Sequence, residues 1–201
     1  MRIAVNTRLL IKDKLEGIGW FSYEVLKRLS VNHPQHEFIF IFDRAYSEEF
    51  IFSSNVTPVV IGPPARHVFL YYLWFEFSMP KILKKYKADA FFSPDGYLSL
   101  RTNVRQVQVI HDLAFLKFPE HIPFLERKYY NLFFPRFAQK AANIITVSEF
   151  SKRDVIEQYG IDANKIDVVY NGMSALYLQL SDPEKQVVRD IYSNGFQYFI
   201  Y

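Results

Sequence analysis

The sequence predicts a doubly wound α/β domain, with a mainly parallel β-sheet and helices on both faces. Three observations carry this prediction. Short apolar, β-rich runs recur along the chain and read as continuous rather than alternating. Segments with helical spacing of apolar residues lie between several of them. No internal repeat or low-complexity linker breaks the series. Strands buried on both faces and separated by helices are the pattern of a parallel sheet.

The strand-like runs are Ile3–Val5, Phe38–Phe42, Thr57–Ile61, Ala88–Ser93, Gln106–Ile110, Ile144–Val147 and Asp167–Tyr170. The first helical pattern covers about Ile18–Val31, with Phe21, Val25, Leu26 and Leu29 on one face. Others cover about Val68–Tyr86, Pro123–Ala142 and Glu149–Tyr159, with Pro80 and Pro135 expected to interrupt two of them.

The chain has 201 residues, half of them apolar, enough for one sizeable core or two small ones. Aromatic residues make up 18%, which predicts large flat contacts beyond the core. A net charge of +3 is too weak to point to nucleic acid, which requires a dense basic stripe. The absence of cysteine excludes disulfides, thiolate metal sites and a cysteine nucleophile. Arg2 and three apolar residues precede Asn6, too little for the apolar region of a signal peptide. The longest uninterrupted apolar run, Val68 to Phe75, falls far short of the roughly 20 residues of a membrane-spanning helix. A soluble, cytoplasmic chain is expected.

Parallel α/β sheets bind ligands in the crevice outside the carboxyl ends of their strands. The residues just after the strand-like runs are Asn6, Thr7 and Arg8; Pro94 and Asp95; His111 and Asp112; Ser148 and Glu149; and Asn171 and Gly172. All are polar or beside polar groups, and they are expected to converge on one edge. The final run, FQYFIY, reads as a fresh strand with no helix after it. The chain is therefore expected to be the front part of something longer.

Gly17-Ile18-Gly19 lies between the first strand and the first helix. A dinucleotide-binding turn needs a third glycine and a tight link to the strand. Here Trp20-Phe21-Ser22 follows, and a long loop separates the glycines from Val5. Asp43 does follow the second strand, where a ribose-binding acid would sit, but the other features fail. No Gly-Lys-Ser/Thr follows, so a P-loop is absent. Two readings remain: a plain loop ending in a glycine helix start, or a flexible loop that presents backbone N–H groups to an anion.

The segment VIHDLAFLKFPEHIPFLERKYYNLFFPRFAQKAANIITVSEFSKRDVIEQYGIDANKIDVVYNG resembles the N-terminal domain of a family 4 glycosyltransferase with the GT-B fold. NTRLL…EGIGWFSYEVLKRL is similar to the front of that family, where an acidic residue-Ala-Arg stretch precedes Gly-Ile-Gly-Arg-Tyr. The resemblance covers nearly all of residues 1–172. Asn6 stands where many relatives carry Asp, Trp20-Phe21 replace Arg-Tyr, and NGMSALY departs from an Asn-Gly-Val-Asp ending. These departures leave donor and acceptor identity open.

The resemblance implies one of two Rossmann-like domains that face each other across a cleft. It implies an N-terminal acceptor-side domain over residues 1–195, with residues 196–201 beginning a C-terminal domain that grips the nucleotide sugar. It implies retention of anomeric configuration, polysaccharide biosynthesis as the setting, no divalent metal, and inactivity of this chain alone. The co-substrate would be a nucleotide-diphosphate sugar, and the acceptor a glycan or lipid-linked saccharide. By the same resemblance His111 contacts the transferred sugar at the reaction centre, and Asp112 orients its loop. Gly17, Ile18 and Gly19 would close over the donor diphosphate. Arg8, Asp95, Ser148, Glu149 and Asn171 would line the acceptor side or the cleft.

From the residues alone each position has a plainer reading. His111 can bond backbone at a strand end, with Asp112 capping a turn. Arg8 can be a surface charge, Asp95-Gly96 a turn, Ser148 a helix N-cap, and Asn171-Gly172 a turn. A glycan- or nucleotide-binding module without catalysis is the competing function. A phosphorylase or epimerase of the same two-domain plan comes next. Two aromatic and basic segments, RHVFLYYLWFEFSMPKILKKYK and PFLERKYYNLFFPRFAQK, raise peripheral contact with an anionic membrane; base stacking on nucleic acid is not expected.

Overall fold

The computed structural model describes residues 1–173 and 178–199. The chain forms two compact units, Met1–Tyr170 and Asn171–Tyr201.

The first unit is built on seven strands: β1 Arg2–Asn6, β2 Glu37–Phe42, β3 Val56–Val60, β4 Ala90–Ser93, β5 Arg105–Ile110, β6 Asn143–Thr146 and β7 Ile166–Val168. They form one sheet in the order β3-β2-β1-β4-β5-β6-β7, and every pair is parallel. The helices are α1 Gly17–Asn32, α2 Val68–Leu73, α3 Met79–Lys85, α4 Ala114–Lys117, α5 Phe124–Lys140 and α6 Glu149–Tyr159. This is the doubly wound, Rossmann-like α/β arrangement that the sequence predicts.

Each face of the sheet has its own core. Alternation along β1 sends Ala4 to one face and Val5 to the other. On one side, Val5, Phe38, Phe40 and Phe42 pack under Leu26 of α1. On the other, Ala4, Ile39, Phe91 and Ile144 pack with Trp74, Met79, Phe137 and Val155, which come from α2 to α3, α5 and α6. The aromatic excess is spent here. Tyr71, Tyr97, Tyr129, Phe133 and Phe134 form edge and stacked pairs among α2, α5 and the segment after β4.

Pro135 does not interrupt its helix, contrary to expectation. Pro135 lies inside α5. The helix runs through it because Tyr129, Phe137 and Ala138, on both sides, are anchored in the core. Pro80 falls at the start of α3, where no intrahelical N–H is needed. The expected interruption does appear here, as a π-helical turn over Trp74–Ser78 that separates α2 from α3.

The second unit contains α7, Asp182–Ser193, which the sequence reading did not identify. Its start is fixed by Glu184, whose carboxylate accepts from the Ser181 N–H at 2.8 Å and the Ser181 hydroxyl at 2.6 Å. It stops at Asn194, in the left-handed conformation. Residues Phe196–Phe199 form no strand, and Ile200 and Tyr201, the end of the expected strand, lie outside the described residues.

Candidate functional site

The strand order reverses between β1 and β4, so their carboxyl ends open the crevice where α/β sheets take ligands. Arg8 follows β1 and Asp95 follows β4, 87 residues apart in sequence. Their side chains meet, Arg8 Nε donating to Asp95 Oδ2 at 2.6 Å. The pair is buried, with side-chain exposures of 11% for Arg8 and 2% for Asp95. Arg8 is thus no surface charge. Its guanidinium carbon lies 4.5 Å from the Tyr97 ring centroid and 5.2 Å from that of Tyr71. Burial works against its charge, but Asp95, Tyr97 and Tyr71 outweigh it and hold it protonated above its ordinary range.

Asp95 collects further donors. Asn6 Nδ2 donates to it at 2.7 Å and Ser93 Oγ at 2.9 Å. Gly96 supplies the turn behind it at φ +83°, where a Cβ would meet the Phe134 ring at 3.3 Å. The Asp-Gly turn and the buried ion pair are therefore both present. Burial also raises the phenols of Tyr97, Tyr129 and Tyr130, so this aromatic wall is neutral around the ion pair.

His111 follows β5. Its Nε2 lies 2.9 Å from the Pro94 carbonyl oxygen. A carbonyl can only accept, so Nε2 carries the proton and, in the neutral ring, Nδ1 carries the lone pair. The ring is half-buried against the edge of Phe21, with centroids 4.8 Å apart. Ser151 Oγ donates to the His111 carbonyl at 2.7 Å, tying the start of α6 to the end of β5. Ser148 caps α6, its Oγ accepting from the Ser151 N–H at 3.1 Å. A network from Asn6 through Asp95, Pro94 and His111 to Ser148 thus spans the ends of β1, β4, β5 and β6.

The remaining expected site residues are placed differently. Asp112 is exposed and its Oδ1 accepts from the Ala114 N–H at 2.9 Å, capping the turn into α4. Glu149 is exposed in the first turn of α6, where a carboxylate complements the helix dipole. Asn171 is exposed and opens the second unit. Asp43 cannot serve a ribose as it stands: its side chain is fully buried, with both oxygens accepting from Arg44 and one also from the Ala65 N–H.

The glycines do not lie in a flexible loop. Gly17, Ile18 and Gly19 form the first turn of α1. The N-cap residue Glu16 makes no side-chain cap, so the first N–H groups of this helix are not taken by a capping side chain. Gly19 is needed for close approach, since a Cβ there would lie 3.0 Å from the Leu9 carbonyl oxygen. Gly17 faces open space. Two residues beyond Gly19, Phe21 touches His111, which brings this helix start to the same crevice.

Sequence reasoning did not identify Ser93, Tyr71, Tyr97 or Phe21 as supports of the site. Tyr71 and Tyr97 reach Arg8, Phe21 reaches His111, and Ser93 reaches Asn6 only through tertiary contact. Among the described residues no cluster of His, Asp and Glu is arranged to hold a metal ion, and no helix is long and apolar enough to cross a membrane.

Comparison with known proteins places the chain in a family. The chain is 26% identical over 197 residues to the O-antigen chain mannosyltransferase B of Escherichia coli, across 93% of this chain and 51% of that protein. A glycosyltransferase of Rickettsia africae matches with a TM-score of 0.52 at 19% identity, covering 95% of this chain and 49% of that one. HepE of Anabaena, solved with UDP-glucose, matches with a TM-score of 0.54 at 16% identity, again covering 95% and 49%. These likenesses establish the fold, and the chain spans about half the length of the relatives it matches. The model of Glycosyltransferase Family 4 matches residues 16–175, most of the chain, so the chain belongs to glycosyltransferase family 4.

Proposed function

We propose that the protein transfers a sugar from a nucleotide-diphosphate donor to a hydroxyl of a glycan or lipid-linked saccharide, with retention of anomeric configuration. The observation that carries this reading is the network at the β1–β4 crevice, which holds Arg8, Asp95 and His111 beside the start of α1. The Escherichia coli relative is a mannosyltransferase acting on O-antigen chains, and the Anabaena neighbour holds UDP-glucose. Both favour a nucleotide sugar as donor and a glycan as acceptor.

In this reading the first turn of α1 faces the donor diphosphate, whose charge suits a helix N-terminus. His111 contacts the transferred sugar, with Nε2–H held by the Pro94 carbonyl and the other ring edge left to the ligand. Arg8 and Asp95 shape the acceptor side, and Asp112 fixes the loop that carries His111. Ser148 and Glu149 form the wall at the start of α6. The leaving diphosphate is neutralised by helix dipole and basic groups without a divalent metal. Residues 1–195 act as the acceptor-side domain, and groups that grip the nucleotide lie outside this chain. The 201-residue chain alone is then inactive.

The test is transfer from a panel of UDP-, GDP- and dTDP-sugars to saccharide acceptors, by the complete gene product and by this chain. Product formed by the complete protein alone supports the proposal. Transfer by the 201 residues alone contradicts the claim of inactivity, and tight donor binding without any product favours a binding module.

A cytoplasmic protein on the inner face of a membrane is part of this proposal. Phe118, Phe124 and Leu125 are exposed beside Arg127 and Lys128, whose charged groups lie over the Phe124 ring. Exposed aromatics ringed by cations suit an anionic lipid surface.

A further inference from the structure

The loop between β1 and α1 is long because it builds a wall. It is folded by three turns: Leu10 N–H to Thr7 O at 3.0 Å, Ile11 N–H to Leu9 O at 3.1 Å, and Lys14 N–H to Ile11 O at 3.1 Å. Asp13 takes the left-handed conformation at φ 56°. Leu10 is buried and anchors the loop in the core under α1. The loop after β2 rises opposite. Between the two lies a cavity of about 310 Å³, with Leu10 and Lys12 on one side and Arg44, Tyr46 and Ser47 on the other.

This cavity is one strand away from the β1–β4 crevice, on the same carboxyl edge. Its volume falls at the small end of the roughly 300–1,000 Å³ of ligand sites, room for one sugar unit rather than a chain. Its walls are preorganised. Arg44 is held by Asp43 through Nε at 2.6 Å and Nη2 at 2.7 Å, which leaves Nη1 for a ligand. Asp43 is itself buried and fixed by the Ala65 N–H at 2.9 Å. Tyr46 is stacked on the buried Phe42, with centroids 5.1 Å apart.

The charged groups that line the cavity only donate hydrogen bonds. Lys12 offers an ammonium and Arg44 its remaining guanidinium edge, and no acidic side chain is among the lining residues. An aromatic ring supported from behind suits the apolar face of a pyranose. Donors alone suit an oxyanion on that sugar.

We propose that this cavity binds one oxyanion-bearing sugar unit, phosphorylated or carboxylated, as a subsite for the acceptor. Its role as an acceptor subsite rests on the transferase reading above; the binding itself does not. The ligand oxyanion meets Lys12 and Arg44 Nη1, and the sugar ring lies toward Tyr46. A phosphate next to a lipid-linked sugar and the carboxylate of an acidic sugar present the same chemistry, so both are probed.

The test is a titration of the isotopically labelled protein, followed by its amide resonances, with glucose 1-phosphate, glucuronate, glucose and inorganic phosphate. Glucose 1-phosphate, glucuronate or both are expected to shift the amides of Lys12, Ala45 and Ser47. Glucose and inorganic phosphate are expected to bind at least tenfold more weakly than the better of these. Lys12→Ala, at an exposed position, and Tyr46→Leu, which keeps the cover over Phe42, should each weaken that binding about tenfold. Equal binding of glucose, equal binding of inorganic phosphate, or indifference to both substitutions overturns the proposal, as does no binding of either acidic sugar. Transfer assays fail independently: a protein that makes no product yet binds the acidic sugar here loses its transferase reading and keeps this site.

Discussion

Replacing Asp95 with alanine removes the acceptor at the centre of the crevice. The carboxylate takes the Arg8 Nε at 2.6 Å, Asn6 Nδ2 at 2.7 Å and Ser93 Oγ at 2.9 Å. Without it a guanidinium only 11% exposed keeps its charge and loses its counter-charge. Breaking a buried ion pair from one side costs about 3–5 kcal/mol. Arg8→Met is a gentler change. Asp95 still accepts from Asn6 and Ser93, and a flexible apolar chain remains between Tyr71 and Tyr97. The change still strands a carboxylate only 2% exposed without its counter-charge, so the cost falls toward the lower end of the same range, about 3 kcal/mol, because two donors remain. The double variant should cost less than the sum by about 1–3 kcal/mol, the coupling expected of contacting groups. Urea unfolding followed by tryptophan fluorescence reads this directly, because Trp74 is fully buried in the first unit. With a slope of about 2 kcal/mol/M, Asp95→Ala lowers the midpoint by roughly 1.5–2.5 M. A cost below about 1 kcal/mol, Arg8→Met costing the more, or strict additivity would each refute the buried-pair account.

Gly19→Ala places a methyl 3.0 Å from the Leu9 carbonyl and 3.3 Å from Leu15, and should cost about 1–3 kcal/mol, whereas Gly17→Ala meets nothing within 4 Å and should leave the melting temperature within a degree or two, roughly its neutral range. Glu76 is raised above its ordinary 4.5 by burial, against the pull of the Leu100 N–H and Arg101. The native state therefore binds its proton more tightly, and its contribution to stability is lost as pH rises from 4.5 through the raised value. Stability of Glu76→Gln relative to the wild type, measured from pH 4 to 8, should rise across that window; a fall would contradict the assignment. Substituting Phe124 and Leu125 together with serine should reduce sedimentation with anionic vesicles and leave thermal stability almost unchanged, since both side chains are exposed.

The sheet was legible because its strands are buried on both faces and so spell themselves as apolar runs. Phe38–Phe42 and Gln106–Ile110 lie within the strands they predict, and all seven strands are present. The candidate residues around His111 were legible for a topological reason, since parallel strands deliver their following residues to one edge. The pairing of Arg8 with Asp95 was not, because no periodicity links residues 87 apart. The glycines were legible in part: the plain reading of a glycine helix start holds, since Gly17 begins α1, but no local signal shows that Gly19 lets the helix approach Leu9. Pro135 misled because local propensity argues for a break while the flanking core residues of α5 hold the helix together. Helix α7 did carry a signal, Ser181 with Glu184 three residues on, and Asn194-Gly195 after its end.

The central claim is that a sugar is transferred at the crevice where His111 meets the start of α1. The most direct measurement follows the rate and the anomeric configuration of the product by NMR, for the complete protein and for His111→Ala. The account predicts a product that keeps the donor's configuration, and a rate at least a hundredfold lower in the variant, in line with losses of about 10²–10³ for removal of one transition-state contact. An inverted product, or a variant that transfers at the full rate, would contradict it.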